Sequence, residues 1–228
     1  MDEAAVARLF QQVYAQPADD QVRHVLADAL IAAGDPRGEL ILAQLQPEAD
    51  HARRAMRLVQ AHGISWLGAL RGYVVPLAYE RGFLASCLVI EEPAGILAAD
   101  EWATVHSIEL PSERIGFALH PVMRSLVRLT GVLPNVMLEL ANKHAEQMAR
   151  VTVEAKYSQL FDDLLGRYLP ENPAAALVIH GVPFDQADRL RARASRHTQM
   201  RLELRVLAPP VAAPPPDVDD DYFDEVEE

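Results

Sequence analysis

The residue types that do chemistry are all present in this chain, but their spacing matches none of the familiar reaction signatures. Eight histidines stand at positions 24, 51, 62, 106, 120, 144, 180 and 197. None makes an HxxxH or HxH pair, and none stands at zinc-ligand spacing from a cysteine. His106 and His180 fall beside predicted strands, where they could converge across a sheet; separate structural or surface histidines are the competing reading. Cys87 is the only cysteine and has no neighbouring base in the sequence to activate it. There is no GxSxG elbow, no GxGxxG loop and no GxxxxGK loop. The acid pairs Glu91-Glu92 and Asp162-Asp163 have the composition of turns and helix starts. Asp217-Val218-Asp219-Asp220-Asp221 lacks the glycine turn and closing glutamate of a calcium loop. These observations predict a protein that is not an enzyme and holds no cofactor or metal.

One constellation reads as recognition. Residues 208–216 contain five prolines, which favour extended polyproline conformations, and eight acids follow among residues 217–228. Tyr222 and Phe223 sit inside this acidic run. Such a composition cannot build a core and predicts disorder in isolation. Aromatics within acids predict a docking peptide: Tyr222 and Phe223 would enter a groove while Asp219, Asp220, Asp221, Asp224 and Glu225 meet a basic partner. A merely solubilising tail is the plainer reading, and mimicry of nucleic-acid phosphates is a third.

The charge balance supports a protein partner. Of the formal net charge of −12, −8 lies in residues 217–228, leaving −4 for the rest of the chain. A mildly acidic body disfavours direct nucleic-acid binding. No stretch approaches the roughly 20 apolar residues that span a bilayer, and Met1-Asp2-Glu3 lacks the basic and apolar regions of a secretion signal. With one cysteine there is no disulfide framework. The expected compartment is the cytoplasm, with no membrane contact.

What must position any site is clearest at the N-terminus. Val6, Leu9, Val13 and Tyr14 outline a first helix ending near Pro17. Asp19 or Asp20 caps a second helix, with Val22, Val25, Leu26, Ala29 and Leu30 on one face. Gly34 ends it, and Asp35 caps a third helix begun by Pro36, with Leu40, Ile41 and Leu45 continuing to Gln46. Arg37 and Glu39 read as solvent-facing or paired across the turn, or as a site for a charged partner. A fourth helix runs from about Glu48 to His62 and stops at Gly63; its Arg53, Arg54 and Arg57 form either a small positive patch or a solvated face.

The run Val25-Leu26-Ala27-Asp28-Ala29-Leu30 followed by Gly34-Asp35-Pro36-Arg37-Gly38-Glu39-Leu40-Ile41 resembles the bacterial repeat-companion domain. Trp66-Leu67-Gly68 and Arg81-Gly82-Phe83-Leu84 resemble later landmarks of that family. The family usually carries Trp where this chain has Ala29. The resemblance covers about residues 1–90. It implies an N-terminal module of the kind that precedes leucine-rich-type repeats, and it carries over no catalytic residue.

After Trp66 the pattern changes to short alternating segments: Leu88/Ile90, Ile108/Leu110, Val127/Leu129, Val151/Val153, Leu177/Ile179 and Leu202/Leu204. Alternation over a few residues predicts strands. Their starts are 20, 19, 24, 26 and 25 residues apart. Helix-like stretches at Val136–Met148, Tyr157–Leu169 and Phe184–His197 intervene. Strand plus helix at this period predicts a degenerate leucine-rich-repeat-like solenoid with a parallel sheet, a compact α/β sheet being the alternative. The residues between the apolar pairs (Val89, Glu109, Arg128, Thr152, Val178 and Glu203) would form an outward row.

The expected architecture is therefore α/β: a helical subdomain over residues 1–65, a β/α repeat-like domain over 66–207 and a proline-rich acidic tail over 208–228. The expected function is a protein-protein interaction or scaffold module, binding through the repeat surface, the acidic tail or both. Self-association through exposed apolar groups of the last repeat is a further expectation. Two alternatives stand beside it. One is a small-molecule-binding protein or enzyme with a pocket at the strand ends; the other is a regulator of a nucleic-acid-binding protein through the tail.

Overall fold

A computed structural model of the chain describes residues 3–46, 48–110, 119–160, 176–194 and 201–208. Four helices come first: α1 (Glu3–Ala15), α2 (Asp20–Ala32), α3 (Pro36–Leu45) and α4 (Ala49–His62). Their ends follow the sequence closely. The Asp19 carboxylate accepts from the Gln21 and Val22 amides, and Asp35 accepts from the Arg37 amide with Pro36 in the first turn. Each carboxylate thus satisfies donors that the first helical turn leaves free. Helix α4 ends at His62, but Gly63 keeps a right-handed conformation and leads into a 3-10 stretch, Gly63–Leu70.

Seven strands then form one sheet in chain order: β1 (Val74–Glu80), β2 (Phe83–Val89), β3 (Ser107–Glu109), β4 (Arg128–Thr130), β5 (Thr152–Lys156), β6 (Ala176–Val182) and β7 (Arg201–Val206). Strands β1 and β2 make an antiparallel hairpin, and β2 to β7 run parallel. Helices α5 (Pro134–Lys143), α6 (Ala145–Met148) and α7 (Phe184–Ala194) lie between the later strands in sequence. All six segments expected as strands contain one. The hairpin partner β1 was not expected, because Pro76 interrupts its apolar run. The helix expected over Tyr157–Leu169 falls mostly outside the described residues.

The sheet buries one face. Cys87, Ile108, Leu129, Val153 and Leu177 share one cross-strand row and are fully buried. Met137 and Leu140 of α5, Met148 of α6 and Leu190 of α7 belong to the same core. Burying the row stabilises by roughly 1.5–3 kcal/mol for each large apolar side chain. Burial also holds the Cys87 thiol up at about 12, since a thiolate there would be desolvated.

The register corrects one expectation. Val89 is buried and belongs to the inward face, whereas Leu88 pairs with Glu109 on the outward face. Leu84 to Ile90 is nearly continuous in apolar character, so its alternation has two readings; pairing of Val74 with Val89 in the hairpin selects one. At β4 the inward residue is Leu129, while Val127 precedes the strand and is exposed.

The N-terminal helices dock on the tip of the β1–β2 hairpin through two arginines, and here a second expectation is corrected. Arg37 does not face solvent: it is 8 % exposed, and Arg23 is 1 % exposed. Arg37 Nε donates to the Gly82 carbonyl at 2.9 Å, and its guanidinium lies 4.4 Å from the Phe83 ring centroid and 5.0 Å from that of Phe10. Arg23 donates to the carbonyls of Arg81, Pro17 and Asp19 and lies 5.2 Å from the Phe83 ring. Neither guanidinium has an ion pair among the described residues; carbonyl dipoles and aromatic faces replace the lost water. Burial still lowers both, Arg23 to about 10. Admitting Arg23 to the buried face of α2 turns the helix so that Val25 is exposed, against expectation.

Gln44 of α3 completes the clamp, accepting from the Gly82 amide at 2.8 Å and donating to the Tyr79 carbonyl at 2.7 Å. The turn itself has Arg81 at φ 50° and Gly82 at φ 83°. A Cβ on Gly82 would stand 2.1 Å from Ile41 Cγ1, so only glycine lets the turn close against α3. At Gly38 a Cβ would stand 2.6 Å from the Ala27 carbonyl, which sets the close crossing of α2 and α3. The separated motifs around Ala27, Arg37 and Gly82 therefore build one interlocked unit.

Candidate interaction surface

The outward face of the sheet carries a charge pattern laid down by strand register. One row holds Ser86, Ser107, Arg128, Thr152, Ala176 and Arg201. The next holds Leu88, Glu109 and Thr130, then Glu154, Val178 and Glu203 on β5 to β7. A third holds Lys156, His180 and Arg205. Basic, acidic and basic rows thus succeed one another along the strands. Parallel sheets are usually covered on both faces; here Glu109, Arg128, Lys156, Arg201, Glu203 and Arg205 are exposed.

Glu154 organises the centre of this face. Its carboxylate is 3.4 Å from Arg128 Nε on β4 and 3.1 Å from His180 Nε2 on β6, bridging three adjacent strands. The Glu154 side chain is 20 % exposed and Arg128 57 %, so the carboxylate is the shielded partner and the arginine remains in water. Glu203 and Arg205 pair at 3.3 Å on β7. His106 pairs instead with Glu80 of β1 at 3.3 Å. The two histidines expected to converge do not, for three strand spacings, roughly 14 Å, separate β3 from β6.

A groove lies elsewhere, beside β1. It encloses about 600 Å³ between α3, α4 and the hairpin, and Ala52, Ala55, Met56, Val59 and Leu77 supply its apolar lining. Met56 and Leu77 are exposed there. Tyr79 at its wall donates its hydroxyl to the Gly63 carbonyl at 2.6 Å, and burial pushes that hydroxyl up to about 12. The groove follows the lateral edge of the sheet, and a smaller cavity of about 100 Å³, lined by Met123, Leu126, Val127, Arg150 and Val151, lies at the starts of β4 and β5. Among the described residues no three His, Cys, Asp or Glu side chains gather as a metal site.

The bases of α4 are largely answered within the helical bundle. Arg54 pairs with Glu39 at 2.6 Å and Arg53 with Asp50. The residues expected to bind a partner, Tyr222, Phe223, Asp219, Asp220, Asp221, Asp224 and Glu225, lie outside the described residues. No described helix is long and apolar enough to cross a membrane.

No protein-family model, curated protein or solved structure matches this chain. Function must therefore be argued from the surfaces themselves. Sequence reasoning found the strands that carry the outward face but missed Glu154, Lys156 and Arg205, because it followed one residue per strand. The available signal was the continued alternation of Thr152, Glu154 and Lys156 about Val153 and Ala155. Gln44 was missed for a similar reason: it is a polar residue interrupting the stripe of Leu40, Ile41 and Leu45.

Proposed function

We propose that this chain is a non-enzymatic protein-interaction module whose recognition surface is the outward face of the sheet. The observation that carries this reading is the run of basic, acidic and basic rows across adjacent strands, presented on a rigid sheet. Fixed rows of opposite charge select a partner by electrostatic register more than by raw affinity. In this reading the strands stack as degenerate leucine-rich-type units, and the N-terminal helices cap them as a repeat-companion domain does. The acidic segment with Tyr222 and Phe223 adds a second contact, which raises the effective concentration of the partner at the sheet. The partner is another cytoplasmic protein whose bound surface alternates in charge.

The test is affinity capture from the native host with four baits: the full chain, a chain ending at Leu207, Arg128→Glu and Lys156→Glu. The proposal expects a protein held by the full chain and lost with both charge reversals. Loss only on truncation would assign recognition to the tail alone and remove the sheet face. Capture indifferent to all three changes, or no capture at all, would overturn the reading. Small-molecule binding has one observation in its favour, the groove of about 600 Å³ beside β1, a size suited to a compact apolar ligand.

A further inference from the structure

The last strand is an open edge. β7 pairs with β6 on one side and with no strand on the other among the described residues. Such an edge presents a row of backbone donors and acceptors to any complementary strand. On its inward side Leu202, Leu204 and Val206 are only partly buried, whereas Leu177, Ile179 and Val182 on the neighbouring strand are fully buried. The core is therefore unfinished along this strand. β7 contains no proline or glycine and, over its length, pairs in regular register up to His180 and Arg205.

The sequence of the strand states what would finish it. We infer that β7 pairs antiparallel with β7 of a second copy of this chain, about a two-fold axis at Leu204. In that register Glu203 stands opposite the Arg205 of the other copy, twice per dimer. Leu202 stands opposite Val206, and Leu204 faces itself, so the inward row meets only apolar groups. Centring the pair on Glu203 would set Glu203 against itself and Arg201 against Arg205, which is repulsive. Centring it on Leu202 would overlap only three residues of β7. Slipping by one residue turns every side chain of one strand to the wrong face. The Leu204 axis pairs five of the six residues of β7 without a like-charge contact and leaves Arg201 opposite Leu207.

Within one chain Glu203 and Arg205 already pair with each other on the exposed face. Dimerisation exchanges the local pair of each chain for two cross-strand pairs and joins two seven-stranded sheets into one of fourteen. The two Ala208 residues then stand at opposite ends of the joint, roughly 26 Å apart. The contact is isologous, so it closes at two copies. This inference rests on β7 alone and is independent of the function proposed for the sheet face.

Sedimentation equilibrium of the full-length chain and its variants tests it. The wild-type chain should be dimeric, with a concentration-dependent monomer. Glu203→Arg and Arg205→Glu should each weaken the dimer by roughly tenfold or more, since each turns two attractive pairs into two repulsive ones. The double variant carrying both changes restores Arg opposite Glu and should recover the dimer. Both substituted positions are exposed, and circular dichroism checks that each of the three variants folds. A register-specific measurement uses Glu203→Cys and Arg205→Cys chains: mixed under oxidation they should form a heterologous disulfide, and neither should form one with itself. Cys87 is buried and does not compete. A wild-type chain monomeric to about 1 mM would overturn the inference, as would a dimer indifferent to the single reversals or not recovered by the double one. A peptide or the chain's own tail laid along β7 would leave the chain monomeric and so count against it.

Discussion

The two ends of the sheet handle the same physical problem in opposite ways. At the β1 end, Pro76 removes a backbone donor, and the pairing slips around Leu77 between Pro76 and Ala78. Helix α3 then covers the hairpin tip, with Gln44 and Arg37 bound to its backbone. Proline, bulges and covering elements are the usual means of keeping an edge from recruiting another chain. At the β7 end the strand has no proline and no covering strand among the described residues, its one irregularity lies at Gly181 of β6, and charged and apolar residues alternate along it. The difference teaches where specificity is stored: polar groups fix the first strands to their own chain, while β7 has no strand on its outer side among the described residues.

Arg37→Ala is the severest way to break this comparison. It removes a buried cation stacked on two rings, leaves the Gly82 carbonyl without its donor and opens a cavity. The cost should be about 4 kcal/mol, read as a fall in the urea midpoint. Gly82→Ala attacks the same clamp sterically, through the Ile41 contact and the positive φ, and should cost about 2–3 kcal/mol. A loss under 1 kcal/mol from either variant would mean that the helices do not secure the hairpin.

A pH experiment sharpens the contrast by a different route. The Cys87 thiol is held at about 12 in the folded chain, above its ordinary value of 9.0. Its folded-state pKa is raised, so its contribution is complete below pH 9 and is lost as pH rises toward 12. Stability should fall with a slope of up to roughly 1.4 kcal/mol per pH unit from this group, and Cys87→Ala should flatten the fall. Equal slopes for the two proteins would place the thiol in contact with water. The smallest effect belongs to the open end: Arg201→Ala, on the exposed face of β7, should change monomer stability by no more than about 0.5 kcal/mol.

How legible the molecule was in its sequence differs along the same axis. The caps Asp19 and Asp35, the turn at Gly34 and the strand cores at Ile108, Leu129, Val153 and Leu177 follow from local rules, because capping and alternation act within a few residues. The fates of Arg23 and Arg37 did not. Their partners, the carbonyls of Arg81 and Gly82, lie 58 and 45 residues away, and charge is a surface signal until such partners are known. The register of β2 also escaped, because a nearly continuous apolar run has no preferred face until its neighbour is placed. On the outward face the residue types were legible, but the bridging of Glu154 to Arg128 and His180 depends on three strands meeting in one register.

The strand order has a consequence for how the protein is made. Each strand from β2 onward lies beside the one that precedes it in the chain, so during synthesis every new strand emerges to find its template already laid down. The helices and hairpin, whose clamp spans 45 to 58 residues, leave the ribosome before the parallel strands and have the time of their translation in which to close. Growth then proceeds in one direction, and β7, added after the other described strands, is the one with a single described neighbour.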